Sequence, residues 1–206
     1  MKIINNKKDA IQELKRISNR TSSENNNKIN EVVEKILQEV KIYGDIAVEK
    51  YTKKFDGFNP DPMQVSADDL KEAWNEIDGN LQQSLIAAHK RIKKFHEKEI
   101  PPSFTIKGEH GDIVQRKWRP VKNAGIYIPG GRAAYPSTVL MNAIPASVAG
   151  VNQTIMVSPG NAEGKINKTV LAAAYLSGIN KVFRIGGAQA IGALAFGTKQ
   201  INKVDV

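Results

Sequence analysis

The chain of 206 residues contains no cysteine and carries a formal net charge of +9. Its length suffices to bury a core without a disulfide or metal staple, and the missing thiols exclude structural disulfides, thiolate zinc sites and cysteine nucleophiles. No segment approaches the ~18 apolar residues of a membrane span, and the opening MKIINNKKDAIQELKRISNR alternates charge with single apolar residues, unlike a signal peptide. A soluble, cytoplasmic protein is expected.

The charge is unevenly spread. Residues 1–103 carry 18 Lys and Arg against 17 Asp and Glu, whereas residues 104–206 carry 12 against 4. Only three of the 16 glycines lie in the first half. This composition break near Pro101-Pro102 divides a mainly helical N-terminal region, 1–103, from a glycine-rich α/β unit, 104–206.

In chain order, Ala10, Ile11, Leu14 and Ile17 fall at helical spacing within Lys8–Arg20, and Ile29 to Tyr51 repeats that pattern, predicting two amphipathic helices. The polar TSSENNN reads as the linker between them, and Gly44-Asp45 punctuates the second. After a turn-rich stop at Phe55–Pro60, Ser66 and Asp69 form a capping box for a helix from Ala67. A basic helix follows over about Asn80–Lys98.

Beyond Pro102 the period changes. Asp112–Trp118 and Ala124–Ile128 read as strands. The segment PSTVLMNAIPASVAG is helical, with Pro136 in its first turn and Pro145 expected to kink or divide it. Thr154–Val157 is a strand closed by Ser158-Pro159-Gly160, Asn167 caps the next helix and Gly178 ends it. Val182–Ile185 is a strand, AQAIGALAFG a small-residue helix, and Val204-Asp205-Val206 starts a further strand. Strands alternating with helices imply right-handed crossovers and an incomplete Rossmann-like parallel sheet. Ending inside a strand, the chain is expected to be a truncated unit.

Ligands of open α/β sheets bind beyond the carboxyl ends of the strands. IPGG at 128–131 and IGGAQA at 185–190 occupy that position, where backbone amides and a helix start can meet a nucleotide. Neither is GxGxxG, so spacing alone leaves a nucleotide role and plain strand-to-helix turns both open. Tyr127 and Gln189 are the candidate cofactor-binding residues, because a phenol and an amide can hydrogen-bond a cofactor's ring and ribose; a packed tyrosine and a turn-satisfying glutamine are the alternatives. His89, His96 and His110 lack metal-ligand spacing, so no metal site is expected within the chain. The cluster Lys90, Arg91, Lys93, Lys94 and Lys98 reads as a solvated helix face rather than a phosphate-backbone contact, since no aromatic interleaving accompanies it. Arg116, Lys117, Arg119, Lys122 and Arg132 are expected to crowd the approach to IPGG as an anion-attracting set. No Ser-His-Asp order, carboxylate pair or P-loop is present, and no catalytic residue is assigned.

VKNAGIYIPGGRAAYPSTVLMNAIPASVAG followed by VFRIGGAQAIGALAFGTKQINKVDV resembles the histidinol dehydrogenases, and the resemblance extends more loosely through ILQEVKIYGDIAVEKYTKKFDGF and IKKFHEKEIP. It implies zinc- and NAD-dependent oxidation of L-histidinol to L-histidine through the aldehyde, the last step of histidine biosynthesis, in a homodimer without nucleic acid or membrane partners. It places Tyr127 and Gln189 at NAD. The family's zinc ligands, its Glu-His proton relay and a further NAD contact on a GPGN loop would follow after KVDV. The chain alone is therefore expected to bind no zinc and turn over no histidinol. A non-catalytic truncated paralogue or scaffold that keeps the nucleotide-binding fold is the alternative.

Overall fold

The computed structural model describes residues 4–18, 23–131 and 134–206. Five helices come first: α1 (Lys7–Ser18), α2 (Ser23–Tyr43), α3 (Asp45–Asp56), α4 (Ala67–Glu76) and α5 (Gly79–His96). Gly44, at a φ of +54°, separates α2 from α3, in a left-handed backbone region that costs glycine little. Ser66 and Asp69 form the reciprocal capping box of α4, and the Asp78 carboxylate caps α5. The polar stretch expected as a linker turns helical from Ser23 onward, because α2 continues as one unbroken rod whose later turns are anchored by Ile36 and Val40. The apolar face foreseen for α1 is uncovered: Ile11, Leu14 and Ile17 are exposed, and α1 buries no residue.

The second half begins with an antiparallel hairpin, β1 (Phe104–Lys107) on β2 (Ile113–Arg116). There follow β3 (Asn123–Tyr127), α6 (Pro136–Ala149), β4 (Gln153–Val157), α7 (Lys168–Leu176), β5 (Lys181–Phe183) and α8 (Gly187–Phe196). Strands β3, β4 and β5 form a parallel sheet in that order, so the chain has the α/β architecture expected of its βα alternation. Residues 63–65 add to the outer edge of β5: the Val65 N–H donates to the Val182 carbonyl (2.8 Å), and the Arg184 N–H to the Met63 carbonyl (3.0 Å). At the opposite edge the Asp205 N–H donates to the Asn123 carbonyl (2.9 Å) and the Gly125 N–H to the Val206 carbonyl (2.7 Å). The expected further strand thus lies beside β3 as an extended segment. Pro145 does not divide α6, which stays continuous to Ala149; the proline sits in the last turns, where a single lost backbone bond leaves the rest of the ladder intact.

Strand side chains alternate between two cores. Ile126, Met156 and Val182 face α4, α5, α6 and α7, while Ile155, Val157 and Phe183 face α2, α3 and α8. The sheet is therefore the middle of three layers, and helices from both halves of the chain cover it. Each fully buried isoleucine or valine contributes about 1.5–3 kcal/mol, and both cores depend on residues from both halves. No described helix is long and apolar enough to cross a membrane.

Candidate functional site

The carboxyl ends of β3, β4 and β5 open into three loops that converge on one proline. A Cβ added to Gly130 would stand 2.5 Å from Pro159 Cγ, and one added to Gly186 would stand 2.6 Å from Pro159 Cβ. Real side chains do not approach so closely, so glycine at both positions is what lets the loops after β3 and β5 close on the Ser158-Pro159-Gly160 loop of β4.

On the α8 side, the structure brings the two predicted cofactor residues together. Tyr127 ends β3, and its phenol oxygen accepts a hydrogen bond from the Gly187 N–H at 3.1 Å. Gly187 opens α8 at a φ of +63°, and its missing Cβ would lie 2.7 Å from Gln189 Oε1. Gln189 therefore folds back over the first turn of its own helix. It is 1% exposed, and neither Oε1 nor Nε2 has a hydrogen-bond partner. A buried primary amide without partners is costly. It is suited to a ligand that brings both a donor and an acceptor, as a nicotinamide carboxamide or a ribose does.

On the other face of the sheet lies a cleft of about 590 Å³ bounded by Gly130, Gly131, Ser158, Gly160, Asn167 and Lys168. Ser158 is 2% exposed. Ser158-Pro159-Gly160 reads in the sequence only as a turn, although it holds the same strand-to-helix position as IPGG and IGGAQA.

Of the expected anion-attracting set, Arg116, Arg119 and Lys122 do not gather at IPGG. Lys122 precedes β3, and the five residues of the strand, roughly 15 Å at the usual rise per residue, separate it from that loop. Arg119 lines a cleft with His96, Trp118, Pro145 and Ala149 near the end of α6, and the Arg116 guanidinium stacks over the Trp118 ring at 4.6 Å. Arg132 lies outside the described residues. The cations Lys90, Arg91, Lys93, Lys94 and Lys98 are exposed on and just after α5.

The histidines are scattered. His96 pairs with Glu99, His110 lies in the hairpin turn, and the pKa of His89 is lowered by burial and by Lys93 one turn on. Among the described residues no three His, Cys, Asp or Glu side chains could hold a metal ion. The unpartnered Gln189 amide beside Tyr127 thus fits a nicotinamide cofactor, whereas the described residues bring no set of metal-ligating side chains together.

The chain is 86% identical to histidinol dehydrogenase of Prochlorococcus marinus (strain MIT 9312) over 206 residues, which is all of this chain and 47% of that protein. It is 52% identical to histidinol dehydrogenase of Aquifex aeolicus over 175 residues, 84% of this chain and 40% of that one. The crystal structure of histidinol dehydrogenase from Elizabethkingia anophelis superposes with a TM-score of 0.82 at 38% identity, covering 86% of this chain and 41% of that one. The chain spans about half the length of the curated relatives it matches. The histidinol dehydrogenase family model matches residues 19–206, the whole sheet unit together with the helices that cover it, and the chain belongs to that family.

Proposed function

We propose that this chain is the cofactor-binding part of an enzyme that oxidises L-histidinol to L-histidine with NAD as acceptor and zinc as substrate anchor. The observation that carries the reading is the partnerless buried amide of Gln189 beside Tyr127 at the start of α8. Tyr127 and Gln189 would hold NAD, which when bound would supply the hydride acceptor for the oxidation. Tyr127 orients the ligand through its phenol while holding the first amide of α8, and Gln189 offers one acceptor and two donors at a water-excluded position. Zinc ligation and proton transfer fall to groups other than the described residues. On this reading the working assembly is a cytoplasmic homodimer.

A chimera tests the proposal. This chain replaces the matching part of the Prochlorococcus marinus relative, and NADH formation from histidinol is followed. Turnover is expected, with Gln189→Ala raising KM for NAD about tenfold or more and leaving KM for histidinol little changed. A folded chimera without turnover favours a non-catalytic scaffold and overturns the reading. The chain by itself is expected to form no NADH, and turnover above the blank would refute that part.

A further inference from the structure

We propose that Gly192 is a positioning residue for the cofactor site: its close contact with Leu37 and Val40 of α2 seats α8, and through α8 it sets where the Gln189 amide and the Gly187 N–H stand. The effect on cofactor binding rests on the reading proposed above; the seating of α8 does not.

Glycine inside a helix costs stability relative to alanine. The backbone at this position does not require it, because Gly192 lies in the middle of α8 and is not among the glycines of positive φ. The reason is space. A Cβ on Gly192 would stand 3.1 Å from Leu37 Cδ2 and 3.3 Å from both Cβ and Cγ1 of Val40, so the neighbours would have to give by a few tenths of an ångström. Val40 is fully buried, and a β-branched side chain in a helix has essentially one rotamer, so it cannot turn aside. Leu37 is half-buried and freer to move.

On its other flank α8 rests on the sheet. A Cβ on Gly125 of β3 would stand 3.0 Å from Leu194 Cδ1, so here too a side chain fills the place of a missing methyl group. The helix is held from both α2 and β3, and near its end the Lys41 ammonium of α2 stands 5.8 Å from the centre of the Phe196 ring. Backbone hydrogen bonds keep the turns of a helix together, so a displacement forced at Gly192 is carried to the first turn. Gln189, with its buried and unpartnered amide, lies only three residues earlier, about 4.5 Å along the axis. Gly187 is tied to β3 by its 3.1 Å bond to the Tyr127 phenol, which the same displacement would lengthen. A helix of the N-terminal region thereby sets the geometry of a site built by the glycine-rich half.

The test follows the Gly187 amide by NMR in the isotopically labelled chain, and KM for NAD in the chimera with the Prochlorococcus marinus relative. Gly192→Ala is expected to move the Gly187 resonance toward its position in Tyr127→Phe, where the bond is absent. It should also raise KM for NAD about tenfold and leave KM for histidinol unchanged. Adding Leu37→Ala should return part of both effects. Val40→Ile enlarges the same contact from α2 and should act in the same direction, so the outcome does not depend on one variant folding. Leu85→Ala, in the core on the other face of the sheet, should lower the melting temperature and leave both readouts at their parental values. The proposal is overturned if neither Gly192→Ala nor Val40→Ile moves the Gly187 resonance, if Leu85→Ala moves it equally, or if Leu37→Ala brings no recovery. A parent chimera without NAD-dependent turnover removes the cofactor reading instead, and the Gly187 amide then decides the seating of α8 by itself.

Discussion

The phenol oxygen of Tyr127, at the end of β3, accepts the N–H of Gly187, the first residue of α8, at 3.1 Å. A side chain from one edge strand thereby fixes the start of a helix that follows another strand, across the mouth of the candidate cofactor site. Tyr127→Phe keeps the ring and removes the acceptor. The expected loss is about 0.5–1.5 kcal/mol of unfolding free energy, measurable by urea titration, together with weaker NAD binding. An unchanged midpoint would mean that the bond contributes nothing.

Gln189 sets stability against function. Replacing its unpaired amide by a side chain of similar volume, Gln189→Leu, removes a desolvation penalty of about 1–3 kcal/mol from the ligand-free chain. The variant should melt at a higher temperature than the parent and have lost its affinity for NAD. A lower melting temperature would show that the amide is satisfied in solution, for instance by water.

At Gly187 two constraints add. The φ of +63° disfavours any Cβ, and that Cβ would meet Gln189 Oε1 at 2.7 Å. Gly187→Ala should cost on the order of 1–3 kcal/mol and displace Gln189. Pairing it with Gln189→Ala removes the steric part only, so denaturation of the double variant should recover part of the loss.

Asp56 ends α3 with Oδ2 buried and unpartnered, and burial raises its carboxyl pKa above the ordinary aspartate value. An acid that is harder to ionise when folded holds more protons in the native state, between its unfolded and folded pKa values, than in the unfolded state. Stability therefore falls as pH rises through that window. The helix dipole adds to the effect, because the C-terminal end of α3 repels a negative charge. Asp56→Asn should raise the melting temperature at neutral pH and flatten its dependence in the weakly acidic range. A parallel shift of the whole pH profile would point to a cause other than ionisation.

Much of the fold was readable because its signals are local. Ser66 with Asp69, Asn167 before α7, and Gly178 after it each act through bonds within a few residues, and the apolar runs of β4 and β5 stand between turn-forming clusters. What escaped is non-local or lacks a buried face. FTIK at Phe104–Lys107 pairs with β2 as a hairpin exposed throughout, so no alternation of burial marks it. Residues 63–65 join β5 by pairing with a strand distant in sequence, which no short window contains. Nearness in sequence does not bring Lys122 to IPGG, because β3 carries the chain from it to the opposite end of the sheet. At the site, Tyr127 and Gln189 could be singled out by their place at strand and helix ends, whereas the close approach of Gly130 and Gly186 to Pro159 depends on loops that only the folded chain assembles.

Pro159 stands between Gly130 and Gly186 with no room for a methyl group on either side. The loops of β3 and β5 therefore share a single pivot, and neither can swing inward without driving the proline ring against the other. A side chain introduced at either glycine would therefore strain both loops at once, so two positions far apart in sequence are held to glycine by the same ring.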